Sequence, residues 1–291
     1  MQRKLIQLSP STAVVSLPSS WIKLNKLKKG AEIFLEEQEN KLILSTFSQK
    51  SEKEITLDLT KLDNKLMWTS IDAAYVAGYD SIILITKNEE QKAFMTKVVR
   101  YFPGMIIYEE SKSKVHFKSM PINQEEDLNK ILSRIFNLNI SMIEDSIEAI
   151  KNKNWEDLAK MKYRDYRINP YISYCLRHIN KVGFTPFSKI GIICTYIKIL
   201  EMMADKLCSL FVHIGNKKIN ADLEIINLIL KIYTNARITH FKYSQQAVMD
   251  LENQRQNLKK LLEENPKTIS YLNEISDLFY DMEELELQLN T

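Results

Sequence analysis

At 291 residues, with 45% apolar and 26% charged side chains, the chain has the composition of a packed protein of more than one domain rather than of a disordered segment. Its 40 Lys and Arg against 37 Asp and Glu leave a formal charge of only +3, and its six glycines, no two of them close together, exclude a glycine-rich phosphate loop. Cys175, Cys194 and Cys208 are too few and too scattered for a disulfide framework or a thiolate zinc site, and no window holds the roughly 18 to 20 consecutive apolar residues of a membrane helix, so the expectation is a cytoplasmic protein without membrane insertion.

In chain order, Leu5 to Ser16 reads as two short extended pieces around the polar turn Ser9-Pro10-Ser11-Thr12. Leu17-Pro18-Ser19-Ser20 then opens a short helix, with serine hydroxyls available to its free amides, and Lys28-Lys29-Gly30 stops it. Two further extended runs, Glu32 to Glu36 and Lys41 to Ser45, flank the turn Glu37-Gln38-Glu39-Asn40. A β-β-α-β-β unit of under fifty residues buries too little surface to stand alone, so an intertwined dimer or docking on a neighbour is expected. Residues 1–30 carry Arg3, Lys4, Lys23, Lys26, Lys28 and Lys29 and no carboxylate, so this end is +6 and the rest of the chain −3. A local cation cluster attracts a polyanion through counterion release even on a nearly neutral protein.

Ser11-Thr12-Ala13-Val14-Val15-Ser16-Leu17-Pro18, Trp21, Leu27-Lys28-Lys29-Gly30-Ala31-Glu32-Ile33 and Leu42-Ile43-Leu44 together resemble the AbrB/MazE/SpoVT swapped-hairpin module, in the variant associated with archaeal proteins that carry a PhoU-like domain behind it. The resemblance implies that two copies interleave their hairpins and present a basic face to DNA, with Arg3, Lys4, Thr12, Lys23 and Lys26 as the contacting set. Ser16 stands where the family often has a base-reading arginine, which shifts the expected contacts from bases to phosphates.

Residues 54–59, 81–86, 105–110 and 114–120 read as extended and 63–79 and 89–101 as helical, with Asp63 a helix start, Gly78 a stop and Pro103-Gly104 a turn. This small α/β unit shows no catalytic grouping and reads as a spacer or dimer-support domain, with His116 a surface residue of a strand. From Asn123 onward the helical period takes over: Leu128, Ile131, Leu132, Ile135, Leu138, Met142 and Ala149 mark the first helix. Further helices are expected over 155–180, 187–213 and 221–250, with breaks at Gly183 to Pro186 and at Gly215-Asn216. Ile131, Leu132, Asn137, Ser141, Ser146, Ala149 and Ile150 recur 98 residues later as Ile229, Leu230, Asn235, Thr239, Ser244, Ala247 and Val248, and Asn169-Pro170 recurs as Asn265-Pro266. A duplicated three-helix unit, its second copy shortened at the last helix, follows from that pattern.

Met142 to Ile150, Asp165, Arg177 and Leu200-Glu201-Met202-Met203-Ala204-Asp205 resemble PhoU proteins. The fold class is therefore multidomain α+β: a swapped-hairpin β module over 1–48, a small α/β domain over 49–121, and an antiparallel α-helical bundle of PhoU type over 122–291. Glu201 and Asp205, one turn apart, place two carboxylates on one helix face where a divalent or iron-type metal could be bridged, with Asp165 as a third ligand; the resemblance associates such a pattern with metal. Asn169 replaces the family's second acid after Asp165, a solvated acidic face is the alternative, and Asp277 with Asp281 repeats the spacing. Cys175 and His178, three apart, are the one nucleophile and base pairing, His213 lying on another helix, and the expectation is that the protein is not an enzyme. The implied function is a homodimeric DNA-binding transcription regulator tied to phosphate homeostasis. The alternative is a PhoU-type adaptor contacting a phosphate transporter or its signalling kinase, with the N-terminal module used only for dimerisation.

Overall fold

The structure, a computed structural model, describes residues 2–38, 41–46, 52–120, 127–264 and 270–291, without the side chains of Glu36, Gln38, Lys41, Ser45, Asp165 and Tyr166. It is a mixed α+β protein that separates into two units, residues 1–51 and 52–291.

In the first unit β1 (Leu5–Ser9) and β2 (Thr12–Val15) pair antiparallel, Leu5 opposite Val15, with an irregularity between Gln7 and Ser9 where the Pro10-Ser11 turn forces the register. Helix α1 (Ser19–Leu24) follows. Its N-cap is Pro18, and no serine hydroxyl caps it, so the helix start rests on proline's fixed φ rather than on the side-chain bond expected from Ser19 and Ser20. Lys26, at φ 52°, and Gly30, at φ 86°, turn the chain out of α1. The strands β3 (Phe34–Gln38) and β4 (Lys41–Ser45) form a second hairpin, Phe34 opposite Ser45; part of the expected turn, residues 39–40, lies outside the described residues.

The second unit begins with a four-stranded sheet of β5 (Glu54–Asp58), β6 (Ser81–Ile85), β7 (Met105–Glu110) and β8 (Lys114–Ser119), in the order β5-β6-β8-β7. Only β5 and β6 pair as parallel neighbours, and the crossover between them is α2 (Asn64–Val76). Asp63 caps α2 by accepting from the Leu66 amide at 2.8 Å, and Gly78, at φ 86°, ends it as the sequence predicts. Helix α3 (Glu89–Val98) is capped by Asn88. Strand alternation sends Ile82, Leu84, Val115 and Phe117 to one face, where they bury against Met67, Ile71, Tyr75, Met95, Val98 and Phe102.

Seven helices follow among the described residues: α4 (Leu128–Lys151), α5 (Trp155–Ala159), α6 (Lys162–Val182), α7 (Ile190–Lys217), α8 (Leu223–Phe241), α9 (Gln245–Glu264) and α10 (Ser270–Asn290). One apolar core runs through them, with Ile135, Phe136, Tyr196, Leu200, Phe211, Ile229, Tyr233, Ile275 and Phe279 sealed from solvent. Three boundaries depart from the predicted elements. The 155–180 segment splits into α5 and α6. The segment 221–250 breaks at 242–244, where Ser244 turns its hydroxyl to the Ala247 amide and starts a new helix. Helix α7 runs through Gly215 without breaking; a Cβ there would lie 2.5 Å from the Ala159 nitrogen and 2.7 Å from the Trp155 oxygen, so that glycine exists to admit α5.

The helices pack in two sets of three, with α5 against α7. Helices α4, α6 and α7 touch one another, as do α8, α9 and α10, and the two sets meet through α4 on α8 and α7 on α10. The second set has its third helix, α10, where the sequence pattern anticipates a shortened copy. Asn169-Pro170 sits inside α6, whereas Asn265-Pro266 lies outside the described residues; the 98-residue pairing carries Ser146, Ala149 and Ile150 of one helix, α4, across the α8–α9 break to Ser244, Ala247 and Val248.

Candidate nucleic-acid interface and the acidic positions

Arg3 and Lys4 lead into β1, Thr12 begins β2, Lys23 is in the last turn of α1, and Lys26 holds the left-handed residue after it. All five side chains are exposed, and among the described residues none is ion-paired. The unit has no core of its own: no described residue from 2 to 46 is buried. Leu5 is 73% exposed, Leu8 68%, Leu24 80%, Leu35 62% and Leu42 52%, so both hairpins and α1 display the apolar side chains that a folded module hides.

Glu201 and Asp205 lie one turn apart on α7 as expected. Glu201 is half-buried and held by Lys198 at 2.5 Å, and Asp205 is exposed. The Asp165 side chain is outside the described residues. Among the described residues no three His, Cys, Asp or Glu side chains come together to hold a metal ion. Asp277 and Asp281 line a groove between α9 and α10 with Arg255, Lys259 and Tyr280; burial, then the charges of Glu284 and Asp277, raise the Asp281 carboxyl above its ordinary range. Cys175 is fully buried, and desolvation pushes its thiol up to about 12, which leaves it protonated and out of reach as a nucleophile at neutral pH.

Arg177, singled out by the sequence without a role, joins the α/β layer to the helices. Its guanidinium donates to the carbonyls of Tyr75 and Tyr79, each at 2.7 Å, and to Asp80 at 3.2 Å, and lies 4.7 Å from the Tyr75 ring centroid. Lys181 pairs with the same Asp80, Asn180 donates to the Val76 carbonyl at 2.8 Å, and Ser173 donates to Asp72 at 2.6 Å. One face of α6 thus grips the C-terminal turn of α2, and residues 52–120 are fastened to the bundle.

Two other polar groupings escape sequence reasoning. His116 is more than a surface residue: its Nε2 is 2.8 Å from the Ser81 hydroxyl, which donates to Glu54 at 2.7 Å, and its ring meets Tyr108 edge-on. Inside the bundle, His240 Nδ1 and Glu286 pair at 2.6 Å, both nearly sealed from solvent, with the Tyr196 ring stacked on the imidazole at 4.8 Å. Burial and the Glu286 carboxylate hold the Tyr196 phenol well above its usual range. Nearby, Asn139 donates to the Tyr233 hydroxyl at 2.7 Å. Periodicity alone gives no sign of such a pair, since His240 follows an apolar helix pattern at a position where any hydrophobe would serve. No family model, curated protein or solved structure matches the chain.

Proposed function

We propose that the protein is a dimeric DNA-binding regulator in which residues 1–48 form an AbrB-like module and the helical region, PhoU-like, senses or relays phosphate status. The observation that carries this reading is the first unit's surface: apolar hairpins without a core, together with six cations and no carboxylate in residues 1–30. Interleaving the hairpins of two copies would cover Leu5, Leu8, Leu35 and Leu42 and offer Arg3, Lys4, Lys23 and Lys26 of both copies to one duplex. Thr12 would add a neutral phosphate contact at the hairpin turn.

Four cations per copy neutralising phosphates give eight in a dimer and a slope of log K against log salt of about −7. The Lys23→Ala/Lys26→Ala variant should lower that slope to about half. A full chain that dimerises yet shows no affinity for promoter DNA at low salt would replace this reading with the adaptor one, in which the module only joins copies beside a phosphate transporter or kinase. The expected divalent or iron-type ion at Glu201, Asp205 and Asp165 has its own test. Thermal stability of chelated protein should rise with Mg2+, Mn2+ or Fe2+, and the rise should vanish in Glu201→Gln/Asp205→Asn.

A further inference from the structure

Both helices of the α/β layer pack on one face of its sheet. The opposite face carries Glu54, Thr56 and Asp58 on β5, Ser81, Ile83 and Ile85 on β6, Lys114, His116 and Lys118 on β8, and, on β7, Ile106 and the Tyr108 ring, which lies against His116 and Lys118 at the edge. Ile83, Ile85 and Ile106 belong to neither apolar core, and Ile106 is 41% exposed. The central strand Ser81-Ile82-Ile83-Leu84-Ile85 is apolar on both sides, which is the pattern of a strand covered on both faces. Half of that cover is missing within the described residues of unit 52–291.

The register shows what fits. Glu54 lies beside Ser81, and Ser81 beside Lys118; Thr56, Ile83 and His116 share the next outward level; Asp58, Ile85 and Lys114 share the third. The face therefore has carboxylates at both ends of β5, isoleucines at two of the three levels of β6 and lysines at both ends of β8. A two-fold axis parallel to the strands and passing over β6 exchanges β5 with β8 and keeps every level. Under it Asp58 meets Lys114 of a second copy, Thr56 meets its His116, and Glu54, which accepts from Ser81, faces the second copy's Lys118, itself paired with Glu52 of its own chain at 3.0 Å. Ile83 and Ile85 close on themselves at the axis. The opposite choice, an axis across the strands in the sheet plane, sets β5 on β5 and acid on acid. Self-complementarity of this kind is the condition for an isologous interface, and a dry centre inside a charged rim is its usual anatomy.

We propose that this sheet face is an interface between two copies of the chain, with Ile83 and Ile85 at its axis and Asp58 paired to Lys114 across it. The interface needs nothing from residues 1–51, so its test separates from that of DNA binding.

The test is cross-linking of the full chain at the axis. Ile83→Cys in a Cys194→Ser background is treated with a short bismaleimide that spans the roughly 10 Å between stacked sheets. A covalent dimer is expected. Adding Asp58→Lys should cut its yield about tenfold, Lys114→Glu alone should do the same, and the two reversals together should restore it. A face covered by another part of its own chain gives no covalent dimer, as does a dimer joined only through the first unit; either result overturns the proposal. A yield indifferent to the single reversals, or not recovered in the double, overturns it too. The restored double variant guards against mistaking a folding failure for a lost contact.

Discussion

Replacing Arg177 with methionine tests how firmly the α/β layer is tied to the bundle. The substitution keeps most of the side chain's length and removes two bonds at 2.7 Å to the carbonyls of Tyr75 and Tyr79, the contact with Asp80 and the approach to the Tyr75 ring. The Tyr75 carbonyl still accepts from the Gly78 amide, and Asp80 still has Lys181. The loss therefore centres on one part-buried carbonyl without its donor and two charge-assisted bonds, offset by no longer burying a guanidinium whose pKa desolvation lowers. The net is about 3 kcal/mol. Urea unfolding of the full chain should show that loss, and amide exchange across Ala74 to Tyr79 should quicken about a hundredfold. Arg177→Lys should recover only part of it, since an ammonium cannot fork to two carbonyls. A cost under about 1 kcal/mol, or faster exchange confined to other segments, would refute the view of Arg177 as the fastening.

Gly215→Ala should destabilise the bundle by about 2 kcal/mol or more, read as a lower urea midpoint, because the methyl would meet backbone atoms of α5 at 2.5 and 2.7 Å. His240→Leu removes the imidazole paired to Glu286 in the core and should cost about 3 to 5 kcal/mol in chemical denaturation; His240→Leu/Glu286→Leu should recover most of that. Glu283, raised to about 7 by burial and then by Glu252, binds its proton more tightly in the folded chain than in the unfolded one. Its contribution is complete below the ordinary carboxylate range, near pH 4.5, and is lost as pH rises through 7. Glu252, which hydrogen bonds from Gln256 and Arg255 lower, loses its contribution at still more acidic pH as the carboxylate takes a proton. Thermal melts from pH 4.5 to 7.5 should thus decline across that window, and Glu283→Gln should flatten the decline.

Where local chemistry carries a boundary, the sequence makes it legible. Asp63 and Gly78 frame α2 because a capping carboxylate and a left-handed glycine act within a few residues. The break at 242–244 has no glycine or proline, and the apolar rhythm of α8 passes into that of α9 without a gap, so only Ser244 hints at it. Gly215 misleads in the opposite direction, since its value is set by the approach of α5, a tertiary fact. The exposed cations of the first unit are legible because charge needs no partner to be counted. The acid, isoleucine and cation levels of the sheet are not, because β6 and β8 become neighbours only once the strand order is known.

The 98-residue recurrence in the sequence can be read from helix faces and not from cores. Displacement by 98 pairs Ile131 with Ile229, both buried, because each must face the shared interior of its own three-helix set. The same displacement sets Met142 against His240 and Ile135 against Tyr233. In the first set those positions are filled by hydrocarbon and thioether. In the second they carry an imidazole paired to Glu286 and a phenol bonded to Asn139, two polar contacts that tie α8 to α10 and to α4. A buried pair of this kind is weak evidence for stability, since well-packed hydrophobes often do as well. Its effect here is on alternatives: α8 could slide or rotate on α4 by a helical turn and still bury leucine and isoleucine, but only one arrangement brings both His240 to Glu286 and Tyr233 to Asn139. The polar core of the second set therefore fixes how the two sets meet, which apolar faces alone leave degenerate.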